Sequence, residues 1–266
     1  MLRSPKLTNC MESHMNTSRF AGSVVLITGA SSGIGAATAR RFARDGAEVV
    51  ILDIAIEAGE ETAAAIRADG GKAVFARHDV ASEADWDAVA GRMRAEHGRV
   101  DVLVNNAFQS EIRSAVELSP ESWRRQIDVS LTGAFLGIHA LLPDLVRSKG
   151  SIVLTSSVHA HFGLPGYPAY AAAKGALCSL GRQLAVEYAP EVRVNIVLPG
   201  PIMTPVWDGV DEAGRARSIA ATPMGRFGLP EDVANVIAFL ASADAAFVTG
   251  AELVVDGGWS VAKDSF

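Results

Sequence analysis

From residue 23 onward, short β-branched runs alternate with longer amphipathic stretches rich in Ala, and this alternation confines the chain to a parallel sheet joined by crossover helices. The strand candidates are 24–28, 48–52, 73–78, 102–104, 152–155, 193–198 and 252–255, and the helical stretches are 34–45, 57–68, 83–97, 120–147, 169–189 and 231–242. Turn formers such as Asp45-Gly46, Asp69-Gly70-Gly71 and Leu229-Pro230 mark the ends. Seven strands and six helices predict an α/β fold with one Rossmann-type, doubly wound parallel sheet and helices on both faces.

No Pro-, Gly- or Ser-rich linker divides the alternation and no fixed-period repeat appears, so residues 21–266 read as a single domain. Residues 1–20 have neither an apolar core nor a small-residue cleavage site, so they read as a disordered tail rather than a secretory signal; Met11 and Met15 leave the translation start open. Residues 201–224 follow neither strand nor helix period, and a loop of that length is expected to act as a substrate lid or binding element.

The composition is that of a chain able to bury a large core, with 49% hydrophobic residues in 266, which excludes disordered and fibrous classes. The net charge of −6 is spread without long runs, giving no field for nucleic acid or an anionic membrane and favouring a small-molecule partner. Every apolar run of membrane-spanning length is interrupted by a charge, Pro or Gly, so a soluble protein is expected. The two cysteines, Cys10 and Cys178, form no disulfide framework and no metal-type spacing, which fits a reducing, cytoplasmic location.

Thr28-Gly29-Ala30-Ser31-Ser32-Gly33-Ile34-Gly35 follows the first strand and opens the first helix, the context a dinucleotide turn requires. Gly29 allows the tight turn, Gly33 lets backbone approach a pyrophosphate, Gly35 permits close helix packing, and the helix N-terminus offers free N–H groups to the anion. A turn that merely joins strand to helix is the plainer alternative. Asp53 ends the second strand roughly twenty residues later, where a carboxylate accepts from adenosine ribose hydroxyls. Neither Ser32 nor Ile54 supplies a cation for a 2′-phosphate, so NAD is expected over NADP.

Tyr170 and Lys174 lie four apart in a run of helix formers and share one helix face. A nearby ammonium is expected to lower the phenol pKa and make it a proton donor and acceptor, although a plain surface pair has the same spacing. Ser157, at the end of the strand SIVLTS, could hold a substrate oxygen if strand and helix converge; a serine there can equally be structural. His159 and His161 stand two apart without a further ligand cluster, so no metal site is assigned to them.

These motifs, with Asp79-Val80, Asn105-Asn106-Ala107, Arg193-Val194-Asn195, Pro199-Gly200, Thr204, Gly225-Arg226, Thr249-Gly250 and Asp256-Gly257-Gly258 in order, resemble the short-chain dehydrogenase/reductase family over residues 22 to about 260. The resemblance implies a catalytic set of Ser157, Tyr170 and Lys174. It also implies a cofactor set in which Ser31, Ser32 and Ile34 join the turn glycines, Asp79 and Val80 border the adenine, and Asn106 meets the adenosine ribose. Pro199, Gly200, Ile202 and Thr204 would approach the nicotinamide, whose ribose Tyr170 and Lys174 would hold.

Two positions depart from the family pattern. Phe108 stands where the family usually has Gly after Asn-Asn-Ala, and Ser130 where it commonly has Asn. Phe108 is expected to reshape the substrate entrance. Ser130 either places a water for Lys174 or bonds its own helix carbonyl four residues back.

The expected activity is hydride transfer between NAD and a secondary alcohol or ketone. The alternatives are a non-catalytic or regulatory protein on the same fold, and an enoyl reductase or dehydratase of related architecture. Met203, Val206, Trp207, Ile219 and Met224, with His159, Phe162 and Tyr167, would give a mixed pocket; a sugar, polyol, lactone, steroid or other cyclic alcohol is compatible with it. The resemblance also implies a homotetramer, to which the apolar segments VIAFLA and ELVVDGGW would contribute.

Overall fold

A computed structural model of the chain describes residues 19–263. Seven strands, β1 (Val24–Thr28), β2 (Glu48–Asp53), β3 (Lys72–Arg77), β4 (Val102–Asn105), β5 (Ser151–Thr155), β6 (Arg193–Pro199) and β7 (Glu252–Val255), form one sheet in the order β3-β2-β1-β4-β5-β6-β7. Every pairing is parallel, with Val25 opposite both Val49 and Val102. The winding reverses between β1 and β4, and a crevice opens at the carboxyl ends of the strands at such a point.

The helices are α1 (Gly33–Arg44), α2 (Ile56–Ala68), α3 (Glu83–Glu96), α4 (Pro120–Ile127), α5 (Gly133–Ser148), α6 (Pro168–Tyr188), α7 (Glu212–Ala220) and α8 (Pro230–Ala241). Alternate strand residues point to opposite faces. Leu26, Val50, Leu103 and Ile152 meet Trp86 and Met93 of α3, Leu141 and Leu145 of α5 and Leu177 of α6. Val25, Ile27, Val49 and Val153 meet Phe42 of α1, Ile66 of α2 and Ile237 and Leu240 of α8. Strands buried on both faces explain why they read as unbroken apolar runs.

Three expectations need correction. The helix predicted over 120–147 is interrupted by a wide π-helical turn, Asp128–Thr132, between α4 and α5. The stretch 201–224 is not irregular throughout: it holds a short turn at Pro205–Trp207 and the helix α7, capped by the Asp211 carboxylate accepting from Gly214 N (2.7 Å). No residue of α7 is buried, so no apolar stripe announced it. Order also begins before residue 21. Phe20 is buried edge-on to Phe42 (4.7 Å), and its N–H donates to the Asp45 carbonyl (2.9 Å). The remainder of the expected tail, residues 1–18, lies outside the described residues.

The Pro120–Ser148 stretch is long and apolar enough, by length and composition alone, to cross a membrane. In this fold that apolarity is spent on the core, since Ile138, Leu141 and Leu145 pack beneath the sheet.

Candidate active site

A cleft of about 700 Å³ opens at the carboxyl ends of the central strands. Of the catalytic and cofactor residues named from the sequence, only Gly35 does not line it, and Gly35 lies directly behind the turn; of the expected substrate-pocket residues, His159, Tyr167, Val206 and Trp207 line it, whereas Phe162, Met203, Ile219 and Met224 do not. A Cβ at Gly35 would stand 2.1 Å from the Gly29 carbonyl oxygen, and one at Gly29 would stand 2.8 Å from Ala107 Cα. Gly29 and Gly33 also take left-handed backbone, with φ of 62° and 52°.

The α1 N-terminus has no side-chain cap and no acid in its first turn, whereas Ser82, Ser119 and Asp211 cap α3, α4 and α7. Its free N–H groups and positive dipole end are therefore available to an anion, and the backbone-lined cradle fits a dinucleotide pyrophosphate. Thr204 closes the cradle, its methyl near enough to Gly33 that a Cβ there would meet it at 3.3 Å.

Two residues fix the turn from β1 and β4. The Asn106 amide donates to the carbonyls of Thr28 (3.1 Å) and Gly29 (3.0 Å), and the Thr28 hydroxyl accepts from the N–H groups of Asn106 (2.9 Å) and Ala107 (3.0 Å). Asn106, expected at the adenosine ribose, thus spends both amide hydrogens on the turn. Thr28 was missed as a site residue because its partners lie far away in sequence.

Asp53, at the end of β2, accepts from Ser31 N (3.0 Å) and Oγ (2.6 Å) and from Ala55 N (3.0 Å). A carboxylate has about four acceptor positions, so it retains capacity for a ligand hydroxyl. Asp79 is paired with Arg125 of α4 (3.2 Å), a cleft residue that the sequence did not reveal. Val80 is buried beside it, and burial pushes the neighbouring His78 imidazole down to about 4.

β5 and α6 bring Ser157, Tyr170 and Lys174 into one end of the cleft. The Ser156 hydroxyl donates to the Lys174 carbonyl (2.7 Å) and locks the two elements together. Lys174 Nζ donates to the Thr155 carbonyl (2.7 Å) and lies 5.5 Å from the Tyr170 ring centre. Burial pushes Lys174 down to about 7, and burial also pushes Tyr170 up to about 12, with the facing Ser157 hydroxyl pulling it back. The expectation of a phenol lowered by its neighbouring ammonium is therefore not met: desolvation outweighs the field of an amine that is itself only partly protonated at neutral pH.

Phe108 lines the cleft, packing edge-on to Tyr170 (5.8 Å) and under Lys174 Nζ (5.4 Å), so it forms a wall of the reactive end. Ser130 does not take the second of its two expected roles, a bond to its own helix carbonyl four residues back. Its buried hydroxyl accepts from Gln109 N (3.0 Å) and donates to Gln109 O (3.3 Å), pinning the loop that carries Phe108. His159 and His161 diverge: His159 lines the cleft, whereas His161 contacts Glu252 (2.8 Å), which Arg182 also pairs. Other family-pattern residues are structural. Arg193 donates to the carbonyls of Leu240, Ala241 and Ser242 at the end of α8.

The family model described as enoyl-(acyl carrier protein) reductase matches residues 29–260. The chain is 45% identical over 244 residues to a cis-4-hydroxycyclohexanecarboxylate dehydrogenase of Sinomonas cyclohexanicum, covering 91% of this chain and 98% of that protein. It is 42% identical over 246 residues to a 2,5-dichloro-2,5-cyclohexadiene-1,4-diol dehydrogenase of Sphingobium indicum, with the same coverage. A cyclohexanol dehydrogenase of an Acinetobacter species is 40% identical over 247 residues, 92% of this chain and 97% of that protein. The crystal structure of gox2181 superposes with a TM-score of 0.89 at 31% identity, covering 93% of this chain and 99% of that one. With its parallel seven-stranded sheet, glycine turn and Ser157, Tyr170 and Lys174 gathered in one cleft, the chain belongs to the short-chain dehydrogenase/reductase family.

Proposed function

We propose that this protein oxidises a cyclic secondary alcohol, or reduces the matching ketone, with NAD as cofactor. The observation that carries the reading is the pair of hydroxyls, Ser157 and Tyr170, facing one another where the cleft ends in apolar and aromatic walls. Two such hydroxyls converge on a single oxygen, which is what a carbinol or carbonyl presents. Named relatives act on ring alcohols, two of which carry a second oxygen function and one of which does not.

A bound nicotinamide dinucleotide supplies the hydride acceptor or donor. In oxidation the Tyr170 phenolate oxygen takes the substrate hydroxyl proton while Ser157 Oγ holds the same oxygen. In reduction the Tyr170 phenol returns that proton. Lys174, tied to the Thr155 carbonyl, sets the electrostatics behind Tyr170 and stands where it can meet a ribose.

The preference for NAD rests on Asp53 and on the cations available. Arg125 and Lys174 are the Lys or Arg residues lining the cleft among the described residues, and both are engaged, with Asp79 and with the Thr155 carbonyl. A 2′-phosphate would meet the Asp53 carboxylate without a free cation beside it.

The description carried by the family model favours a second reading, reduction of an enoyl double bond. The decisive measurement is NADH absorbance with purified protein: NAD reduction by cyclohexanol-type substrates supports the proposal. NADH consumption by enoyl thioesters alone would replace it with the second reading.

We also propose that the protein is cytoplasmic and a homotetramer. Cys178 is a free, buried thiol, and Phe135 of α5, Val186 of α6 and Val254 of β7 are exposed apolar side chains. The VIAFLA segment contributes less than its composition suggests, because Ile237, Ala238, Leu240 and Ala241 are buried within their own chain. Light scattering on the purified protein tests the assembly, and a monomer at micromolar concentration would reject it.

A further inference from the structure

His159 lines the substrate end of the cleft and takes no part in the steps described above. Its position is tied to the catalytic serine, since its backbone N–H donates to Ser157 Oγ (3.2 Å). Its ring stands edge-on to Tyr167 (4.8 Å between ring centres) and to Tyr170 (5.3 Å), and the two tyrosine rings are 6.1 Å apart. The three rings form one continuous aromatic wall, each in edge contact with the others.

The chemistry of that wall follows from one buried atom. His159 Nδ1 is sealed from solvent with no hydrogen-bond partner. A buried lone pair left unpaired costs less than a buried N–H left unpaired, so the tautomer with the proton on Nε2 is the stable one. Burial lowers the imidazole pKa and keeps the ring neutral. Because the residue is only partly buried while Nδ1 is fully covered, the end that faces the cleft is the Nε2–H donor. Tyr167 adds a phenol whose pKa burial raises, so it too remains a donor. Around them Phe108, Leu164, Val206, Trp207 and Trp259 are apolar or aromatic.

A hydrocarbon ring bound against this wall would strip water from two polar groups and return nothing. We propose that His159 and Tyr167 form an oxygen subsite beside the reacting carbinol, and that the substrate is a ring alcohol bearing a second oxygen, which accepts a hydrogen bond from His159 Nε2. The subsite rests on the dehydrogenase reading above and narrows it to one substrate class. It also separates the labour of neighbouring residues: Ser157 and Tyr170 address the reacting oxygen, while His159 and Tyr167 choose the ring's orientation.

The test compares kcat/KM for cyclohexanol with that for the cis and trans isomers of 1,2-, 1,3- and 1,4-cyclohexanediol. The wild-type protein is expected to favour its best diol about tenfold to a hundredfold, the discrimination that follows from leaving one desolvated polar group unpaired. In His159→Phe the ratio should collapse toward one, chiefly through KM for the diol. In His159→Gln, whose amide N–H can occupy the place of Nε2–H, much of the ratio should return. The ratio is taken within each protein, so a general loss of activity cancels. Cyclohexanol used as efficiently as every diol isomer by the wild type, or an unchanged ratio in His159→Phe, would overturn the subsite while leaving the dehydrogenase reading intact. Failure to oxidise any of these alcohols would remove both.

Discussion

Replacing Ser130 by Ala removes a hydroxyl that is 2% exposed and that serves both backbone groups of Gln109, the N–H at 3.0 Å and the carbonyl at 3.3 Å. Alanine fills nearly the same space, so the cost comes from the two groups left without their partner rather than from a cavity. Gln109 is itself exposed, so water can take up part of what is lost, and the change costs about 0.5–1.5 kcal/mol. For a chain of this size each kcal/mol lowers Tm by roughly 2–4 °C, so differential scanning calorimetry should register a fall of roughly 1–6 °C. The kinetic consequence follows from Phe108, the residue before Gln109, whose ring packs against Tyr170 and Lys174. A loosened loop should lower kcat/KM by about tenfold through misplacement of that wall, without moving the pH at which the rate changes, because Ser130 touches no titrating group. An unchanged Tm would refute the claim that the hydroxyl pins the loop. A shifted pH profile would instead return Ser130 to the proton path behind Lys174.

Three further outcomes are expected. Tyr170→Phe should abolish detectable turnover in an NADH absorbance assay while circular dichroism and NAD titration show an intact, cofactor-binding protein; substantial residual activity would remove Tyr170 as the acid and base. The wild-type protein should use NAD at least about tenfold better than NADP, and Asp53→Ala should shrink that ratio by removing the anion that repels a 2′-phosphate; steady-state kinetics with both cofactors checks it, and an unchanged ratio in the variant would separate Asp53 from cofactor choice. Because burial raises Tyr170 to about 12, the base needed for oxidation becomes more populated as pH rises and the acid needed for reduction is already fully present at neutrality. Oxidative kcat/KM should therefore climb from pH 7 to 10 while reductive kcat/KM does not, and an oxidation rate that is flat across that window would contradict the environment described for Tyr170.

The sheet was legible because its inner strands are buried on both faces, which forces apolar runs bounded by turn residues, and the expected ends of all seven strands fall within one residue of those observed. The glycine turn was legible for a related reason: contacts of 2.1 and 2.8 Å leave no room for a Cβ at Gly35 or Gly29, and such demands appear directly as residue type. What stayed hidden depends on long-range partners or on their absence. α7 buries none of its side chains, so its period carries no signal. The π turn at Asp128–Thr132 contains no Pro or Gly, so no breaker residue announces it within the helical stretch. Thr28 and Arg125 act across 78 and 46 residues of chain, a distance over which composition has no memory.

The spacing of Tyr170 and Lys174 correctly placed both on one face of α6, yet it gave the wrong sign for the phenol. Spacing reports proximity, whereas the sign depends on how much water each group loses. Lys174 is buried and Tyr170 half-buried at the cleft, and a low-dielectric surround penalises ammonium and phenolate alike, which drives both groups toward their neutral forms. Between about pH 7 and 12 the pair then carries one proton, held on the tyrosine. The same surround that suppresses charge also magnifies any charge brought close, since the interaction scales inversely with the dielectric constant. Tyr170 is thus an acid in the bare fold at neutrality, and positive charge entering the cleft beside it would favour its base form. That coupling explains why Ser156 locks Lys174 to β5 and why Ser130 and Phe108 brace the opposite wall.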